Sequence, residues 1–246
     1  MTMKLDILAF GVHPDDVELG CSGTLMAAIA DGKKVGIIDL TRGELGTRGT
    51  ADTRKAEAAR AAEIMGVSIR ENLEMADGFF QNDELNQRKV ITAIRKYQPD
   101  IILANAPEDR HPDHGRSAKL VADTAFLAGL RKIETSVNGV NQAIWRSSYV
   151  FHYIQDRFIQ PSFVIDITEY MDRKIESVLA YSTQFFHPDS QNQEPQTYIS
   201  SPQFLETVKA RALMLGKRIG VGYAEGYITE KIIGLKGFDA IIKEKT

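Results

Sequence analysis

The chain has 246 residues, with 30 Lys and Arg against 33 Asp and Glu, five histidines and one cysteine. A net charge of −3 offers no global attraction for nucleic acid or an anionic membrane, so either would need a local basic patch. The lone Cys21 excludes an intrachain disulfide framework and a cysteine-rich zinc site.

No apolar run approaches the roughly 20 residues of a membrane span. Asp6 interrupts the start, where a signal peptide would be continuously apolar. The expectation is a soluble, cytoplasmic, globular chain. Residues 5–11 form a short apolar run that reads as a strand. After a loop, the Ala/Leu/Met-rich stretch 17–31 reads as a helix that Gly32 ends. Residues 34–40 are a second β-branched run. Residues 52–65, rich in Ala, Arg and Glu, predict a helix with a glycine stop at Gly66. A weak strand covers 71–75, a helix 84–97, an apolar strand 101–104 and a helix 115–130. Strands are expected at 149–154 and 162–167, and helices at 170–181 and 203–219. The polar, proline-punctuated stretch 185–202 is long for an idle loop and reads as functional. Strands alternating with helices imply βαβ units. The expected architecture is one α/β domain spanning 1–246, a mostly parallel, Rossmann-like sheet with helices on both faces.

In such sheets ligands gather beyond the carboxyl ends of the strands. Two unusual tetrapeptides fall there: His13-Pro14-Asp15-Asp16 after the first strand, and His111-Pro112-Asp113-His114 after the strand at 101–104. Together they hold three of the five histidines, and strand topology could set them side by side. Imidazole with carboxylate suits Zn²⁺, and a catalytic zinc keeps about three protein ligands and a water. The economical assignment takes His13, Asp16 and one histidine of the second motif as ligands. Asp15 is then free to accept a proton from the water, and the spare histidine serves a developing oxyanion, its ring held by Asp113.

An isolated H-P-D is commonly a turn with a helix-capping aspartate. His187-Pro188-Asp189 repeats the pattern inside the polar loop and reads as a turn or a substrate or subunit contact. His152 lies in a strand pattern and reads as a satisfied core or wall residue. The stretch 41–49 carries Gly43, Gly46 and Gly49 but is neither a dinucleotide fingerprint nor a phosphate-binding loop. Arg42, Glu44 and Arg48 could shape a polar pocket there or lie in a solvated loop, and Arg54, which opens the next helix, could point into the cleft or pair with Glu57 on the surface.

H-P-D-D after the first strand, T-R-G-E after the second and H-P-D-H after a later one resemble the LmbE-like, or PIG-L, zinc-dependent N-deacetylases. The likeness runs through Gly222-Tyr-Ala-Glu-Gly226. D-V-E-L-G at 16–20, T-R-G-T-A-D-T-R at 47–54 and Y-S-T-Q-F-F-H-P at 181–188 resemble the bacillithiol-biosynthesis branch, which deacetylates N-acetylglucosaminyl malate. The resemblance implies a Rossmann-like fold, ligands at His13, Asp16 and His114, and a general base at Asp15. It further implies an oxyanion or leaving-group histidine at His111 with Asp113 as its partner, and pocket residues Arg54 and Tyr198. Zn²⁺, or Fe²⁺ on the same ligands, is the implied cofactor, and an amino-sugar derivative the implied substrate. Related members often assemble as hexamers, so a homo-oligomer is implied too. Deacetylation of another amino sugar, such as a chitooligosaccharide, stays open. So do a non-haem Fe(II) oxygenase using two histidines and a carboxylate, and a non-catalytic sugar-binding protein with a structural metal.

Overall fold

The computed structural model describes residues 3–186 and 194–239, so His187 and its neighbours lie outside the described residues. Strands β1 (Ile7–Gly11), β2 (Val35–Thr41), β3 (Ile69–Met75) and β4 (Ile101–Ala104) alternate with helices α1 (Asp16–Ala30), α2 (Ala51–Met65), α3 (Glu84–Tyr97) and α4 (Pro112–Leu127). A two-residue hairpin, β5 (Ser136–Val137) and β6 (Val140–Asn141), precedes β7 (Tyr149–Tyr153) and β8 (Phe163–Asp166). Then follow α5 (Met171–Leu179), α6 (Pro202–Ile219) and β9 (Ala224–Ile228). None of the described helices is long and apolar enough to cross a membrane.

The seven-stranded sheet has the order β3-β2-β1-β4-β7-β9-β8. Its first five strands are parallel, as the alternation of elements predicts, whereas β9 runs antiparallel to both neighbours. β9 was not expected, because A-E-G-Y-I places a charge and a glycine where an apolar alternation would signal a strand. The small hairpin turns on Asn138-Gly139, both at positive φ, the dipeptide that a tight two-residue turn favours. Most other boundaries fall within two residues of expectation. The exception is α4, which starts three residues early because Pro112 serves as its first helical residue.

β1 alternates its side chains between two cores. Leu8 and Phe10 pack under α3 and α4 with Val90, Ile94, Leu120 and Val121. Ile7 and Ala9 face α1 with Val17, Cys21 and Leu25. On that second face α1 is sandwiched, since α2, α5 and α6 pack a further layer around Leu19. Buried on all sides from Asp16 to Met26, α1 shows no amphipathic stripe. It lies close on the sheet: a Cβ added at Gly20 would sit 2.1 Å from the Tyr153 ring.

Charges are buried beside α1 in compensated sets. Arg70 makes two 2.8 Å hydrogen bonds to Asp39 and a third to Glu18. Lys174 donates to the Glu18 and Leu19 carbonyls and to Glu225, while Glu225 accepts from the Gly23 and Thr24 N–H groups. The Lys174–Glu225 pair thereby grips one turn of α1 on both sides. Replacing Lys174 with Met leaves the Glu225 carboxylate, 4% exposed, without its counter-charge. We expect a loss of about 3–5 kcal/mol in denaturant unfolding, largely restored in Lys174→Met/Glu225→Gln. A single variant within 1 kcal/mol of the parent, on the order of a surface substitution, would show the pair to be dispensable.

Candidate active site

β1 has β2 on one side and β4 on the other, so the order in which strands are added reverses between β1 and β4 while the strands stay parallel. A crevice opens outside their carboxyl ends at such a point. The register pairs Ala9 with Leu103, which brings the loops after Gly11 and Ala104 together. A cleft of about 330 Å³ lies there, and both tetrapeptides line it.

The first motif turns sharply. Asp15 has φ 124° and ψ −21°, a backbone conformation costly to a residue with a Cβ and typical of sites that hold strain for a purpose. Arg54, from α2, holds that turn by donating from one nitrogen to the Pro14 carbonyl at 2.6 Å and to Asp15 Oδ2 at 2.8 Å. No described residue donates to Asp15 Oδ1. Burial raises the Asp15 carboxyl to about 7 against the opposing charge of Arg54.

Asp16 opens α1, and its carboxylate is fully engaged. Oδ2 accepts from the His13 N–H at 2.9 Å and from Asn105 Nδ2 at 3.0 Å. Oδ1 accepts from Gln155 Nε2 at 2.8 Å and lies 3.2 Å from His114 Nε2. In the second motif His111 caps α4, its Nδ1 accepting from the Asp113 N–H at 3.2 Å. His114 Nδ1 meets Asp109 Oδ2 at 2.7 Å, and Asp109 Oδ1 is held by the Arg110 and Arg157 N–H groups. The His13 and His111 rings lie 4.7 Å apart, and those of His111 and His114 5.5 Å.

His13, His111 and His114 each offer a ring nitrogen within 4.8 Å of the others, a group that can hold a metal ion. The electrostatics fit a cation. Burial alone would lower the His13 pKa, yet the carboxylates of Asp113, Asp77 and Asp16 lift it to about 9. His114 is lifted to about 10, against burial, by Asp16 and Asp109. The cluster therefore demands positive charge, and the His114 Nε2 proton beside Asp16 is one that a divalent ion would replace. His111 goes the other way, lowered by burial and by the charge of its two histidine neighbours.

The structure thus brings together His13, Asp15, Asp16, His111, His114 and Arg54. Three expectations are corrected. The Asp113 carboxylate does not hold the His111 ring: as the second residue of α4 it turns to the Gly78 N–H and Arg116, and its backbone N–H does the holding. Arg42 lines a separate cavity between α2 and β3. Glu44 fastens its own loop, accepting from the Arg42 and Asp77 N–H groups, because the Gly43 turn folds it back. Tyr198 does line the cleft, with its hydroxyl on Asp156 at 3.0 Å. His152 is buried and satisfied, its Nδ1 2.8 Å from the Asn105 carbonyl, and it is not among the residues lining the cleft.

Asp77, Asn105, Asp109 and Gln155 were missed. Each follows the carboxyl end of a parallel strand, and that position was the available signal. Asp77 lies 3.0 Å from His13 Nε2, so two of the histidines each have a supporting carboxylate.

The sequence profile of the PIG-L family, described as GlcNAc-PI de-N-acetylase, matches residues 8–125, the span of both motifs. The conserved protein TT1542 from Thermus thermophilus is 35% identical, over 94% of this chain and 98% of that one, with a TM-score of 0.82. The chain belongs to the PIG-L family. The diacetylchitobiose deacetylase of Thermococcus kodakarensis is 29% identical over 89% of this chain and 81% of its own. The N,N'-diacetylchitobiose deacetylase of Pyrococcus horikoshii shares the fold, with a TM-score of 0.76 at 24% identity. That match covers 90% of this chain and 82% of the other.

Asp109 is not among the residues lining the cleft and bonds His114 from behind. Asp109→Ala is expected to weaken divalent-metal affinity roughly 10- to 100-fold in a chelator competition, with unchanged secondary structure by circular dichroism. Undiminished affinity would remove Asp109 from the support of the centre.

Proposed function

We propose that the cleft hydrolyses the N-acetyl group of an N-acetylglucosamine derivative, residues 1–246 acting as one deacetylase domain. The observation that carries this reading is Asp15. Its carboxylate stands beside a His/Asp cluster without joining it, fixed through Oδ2 by Arg54, with Oδ1 unengaged by the described residues. That is the arrangement a general base for an attacking water requires.

In this reading His13, Asp16 and His114 hold the metal. Zn²⁺ is the ion that imidazole and carboxylate donors suit, and Fe²⁺ could occupy the same set. A divalent ion bound there supplies Lewis-acid polarisation of the amide carbonyl and acidifies a water. Asp15 takes a proton from the water as its oxygen bonds to the acetyl carbon. His111 has Nδ1 occupied by the Asp113 N–H, so the neutral ring carries its proton on Nε2 and can donate it toward the developing oxyanion. The C–N bond then breaks, and the proton that Asp15 took from the water passes to the departing amine, so that Asp15 and His111 return to their starting states. The products are acetate and a glucosamine derivative. Arg54 acts chiefly by fixing Asp15, and Tyr198 borders the entrance.

The family description and the Thermococcus relative both concern N-acetylglucosamine compounds. The motif resemblance favours N-acetylglucosaminyl malate as substrate. The Thermococcus relative, matched over most of both chains, favours a chitooligosaccharide as the second reading. A homo-oligomer, up to a hexamer, is the assembly the resemblance implies.

Purified protein titrated with Zn²⁺ or Fe²⁺ should release acetate from N-acetylglucosaminyl malate or from diacetylchitobiose, and the ratio of the two rates separates the readings. Asp15→Asn should lower turnover by roughly 10²–10⁴-fold while keeping its metal. His13→Ala should lose metal and activity together. Activity in Asp15→Asn within tenfold of the parent, about 1.4 kcal/mol, would overturn the assignment of the base.

A further inference from the structure

One carboxylate at the mouth of the cleft joins three loops and has no part in the chemistry above. Asp156 follows β7, between two residues that reach the centre. Gln155 donates to Asp16, and the Arg157 N–H donates to Asp109. Asp156 itself turns outward. Its Oδ2 accepts from Arg110 Nε at 2.8 Å, and its Oδ1 accepts from the Tyr198 hydroxyl at 3.0 Å. Arg110 comes from the loop between β4 and α4, Tyr198 from the segment before α6, and both line the cleft. The contact closes on itself, because the Arg110 guanidinium lies 4.5 Å from the centroid of the Tyr198 ring. Tyr198 also meets the Phe204 ring edge-on at 5.5 Å. Behind them Arg211, on α6, has no hydrogen-bond partner among the described residues and feels the charge of Asp156 more than that of any other group.

Tyr198 is half exposed, and among the described residues its hydroxyl bonds to Asp156 alone. A side chain in that setting samples several rotamers unless a directional bond selects one. Asp156 supplies that bond, and it fixes Arg110 with its other oxygen. We propose that Asp156 is a positioning residue that holds Tyr198 and Arg110 in one arrangement across the cleft mouth, so that substrate meets a preformed wall. The proposal rests on the deacetylase reading for its kinetic consequence. Its structural half stands apart from that reading.

The test combines kinetics with hydrogen exchange on the intact, metal-loaded protein. Asp156→Asn leaves one acceptor where two are needed. It should raise KM for the N-acetylglucosamine conjugate roughly three- to tenfold, the worth of one or two such hydrogen bonds, with kcat within about twofold. Tyr198→Phe should raise KM similarly. Because the two side chains act through one bond, the double variant should be no worse than the worse single variant. Amide exchange across 194–201 should quicken in Asp156→Asn, with melting temperature and metal content unchanged. Asp156→Glu, which restores two acceptors, should recover part of the KM. An unchanged KM in Asp156→Asn, or effects that multiply in the double variant, would overturn the proposal. If the parent protein releases no acetate from any conjugate, the functional reading fails instead. The exchange measurement then decides the positioning role alone, and unaltered exchange in 194–201 refutes it.

Discussion

The Asp16 carboxylate is the point on which the centre depends. It accepts from, or faces, groups borne by the ends of three adjacent strands: His13 after β1, Asn105 after β4 and Gln155 after β7, with His114 from α4 completing the set. A carboxylate with every acceptor site used is expensive to bury unless all its donors arrive together. Asn105 shows how tightly this is tied, since its Oδ1 accepts from the Val12 N–H and from Ser117 while its Nδ2 serves Asp16. Parallel pairing of β1 with β4 and of β4 with β7 is thus a requirement of the site as much as of the fold.

A second constraint acts on Asp15. Its backbone cannot relax while Arg54 grips both it and Pro14, and Arg54 is itself confined. A Cβ at Gly43 would lie 2.3 Å from its guanidinium, so the second-strand loop can pass only as glycine. That loop is stitched in turn to the chain after α5. Arg48 donates to the Thr183 carbonyl, Gln184 to the Arg48 carbonyl, and Glu57 accepts from the Thr183 N–H and hydroxyl. The glycine-punctuated stretch serves as a brace for the turn that carries the base.

Much of this was legible in the residues. The βαβ alternation is written in apolar runs and glycine stops, and the two H-P-D tetrapeptides announce themselves by residue type and by their place after strands. What was not legible has a common physical origin. The partners of Asp113, Glu44 and Arg42 depend on which way a side chain leaves a loop, and that is set by a helix start at Pro112 or a positive φ at Gly43. Lys174, Arg70 and Glu225 resemble surface charges in sequence, because nothing local reveals that their helices and strands close over α1. β9 is hidden for the same reason: it is a strand by virtue of its neighbours, Tyr153 and Phe163, more than by its own alternation.

The grip of Lys174 and Glu225 on α1 bears on the order in which the molecule comes into being. Both tetrapeptides lie within the first 114 residues, yet the stretch of helix just behind Asp16 is clasped by groups 155 to 202 positions further on. A chain leaves the ribosome from its amino end, and its early portion must wait for those groups. Until β9 has been made and added beside β7, the helix that presents Asp15 and Asp16 lacks part of its seat. The seat of the helix that carries Asp16 is therefore complete only when the late part of the chain has joined the early one.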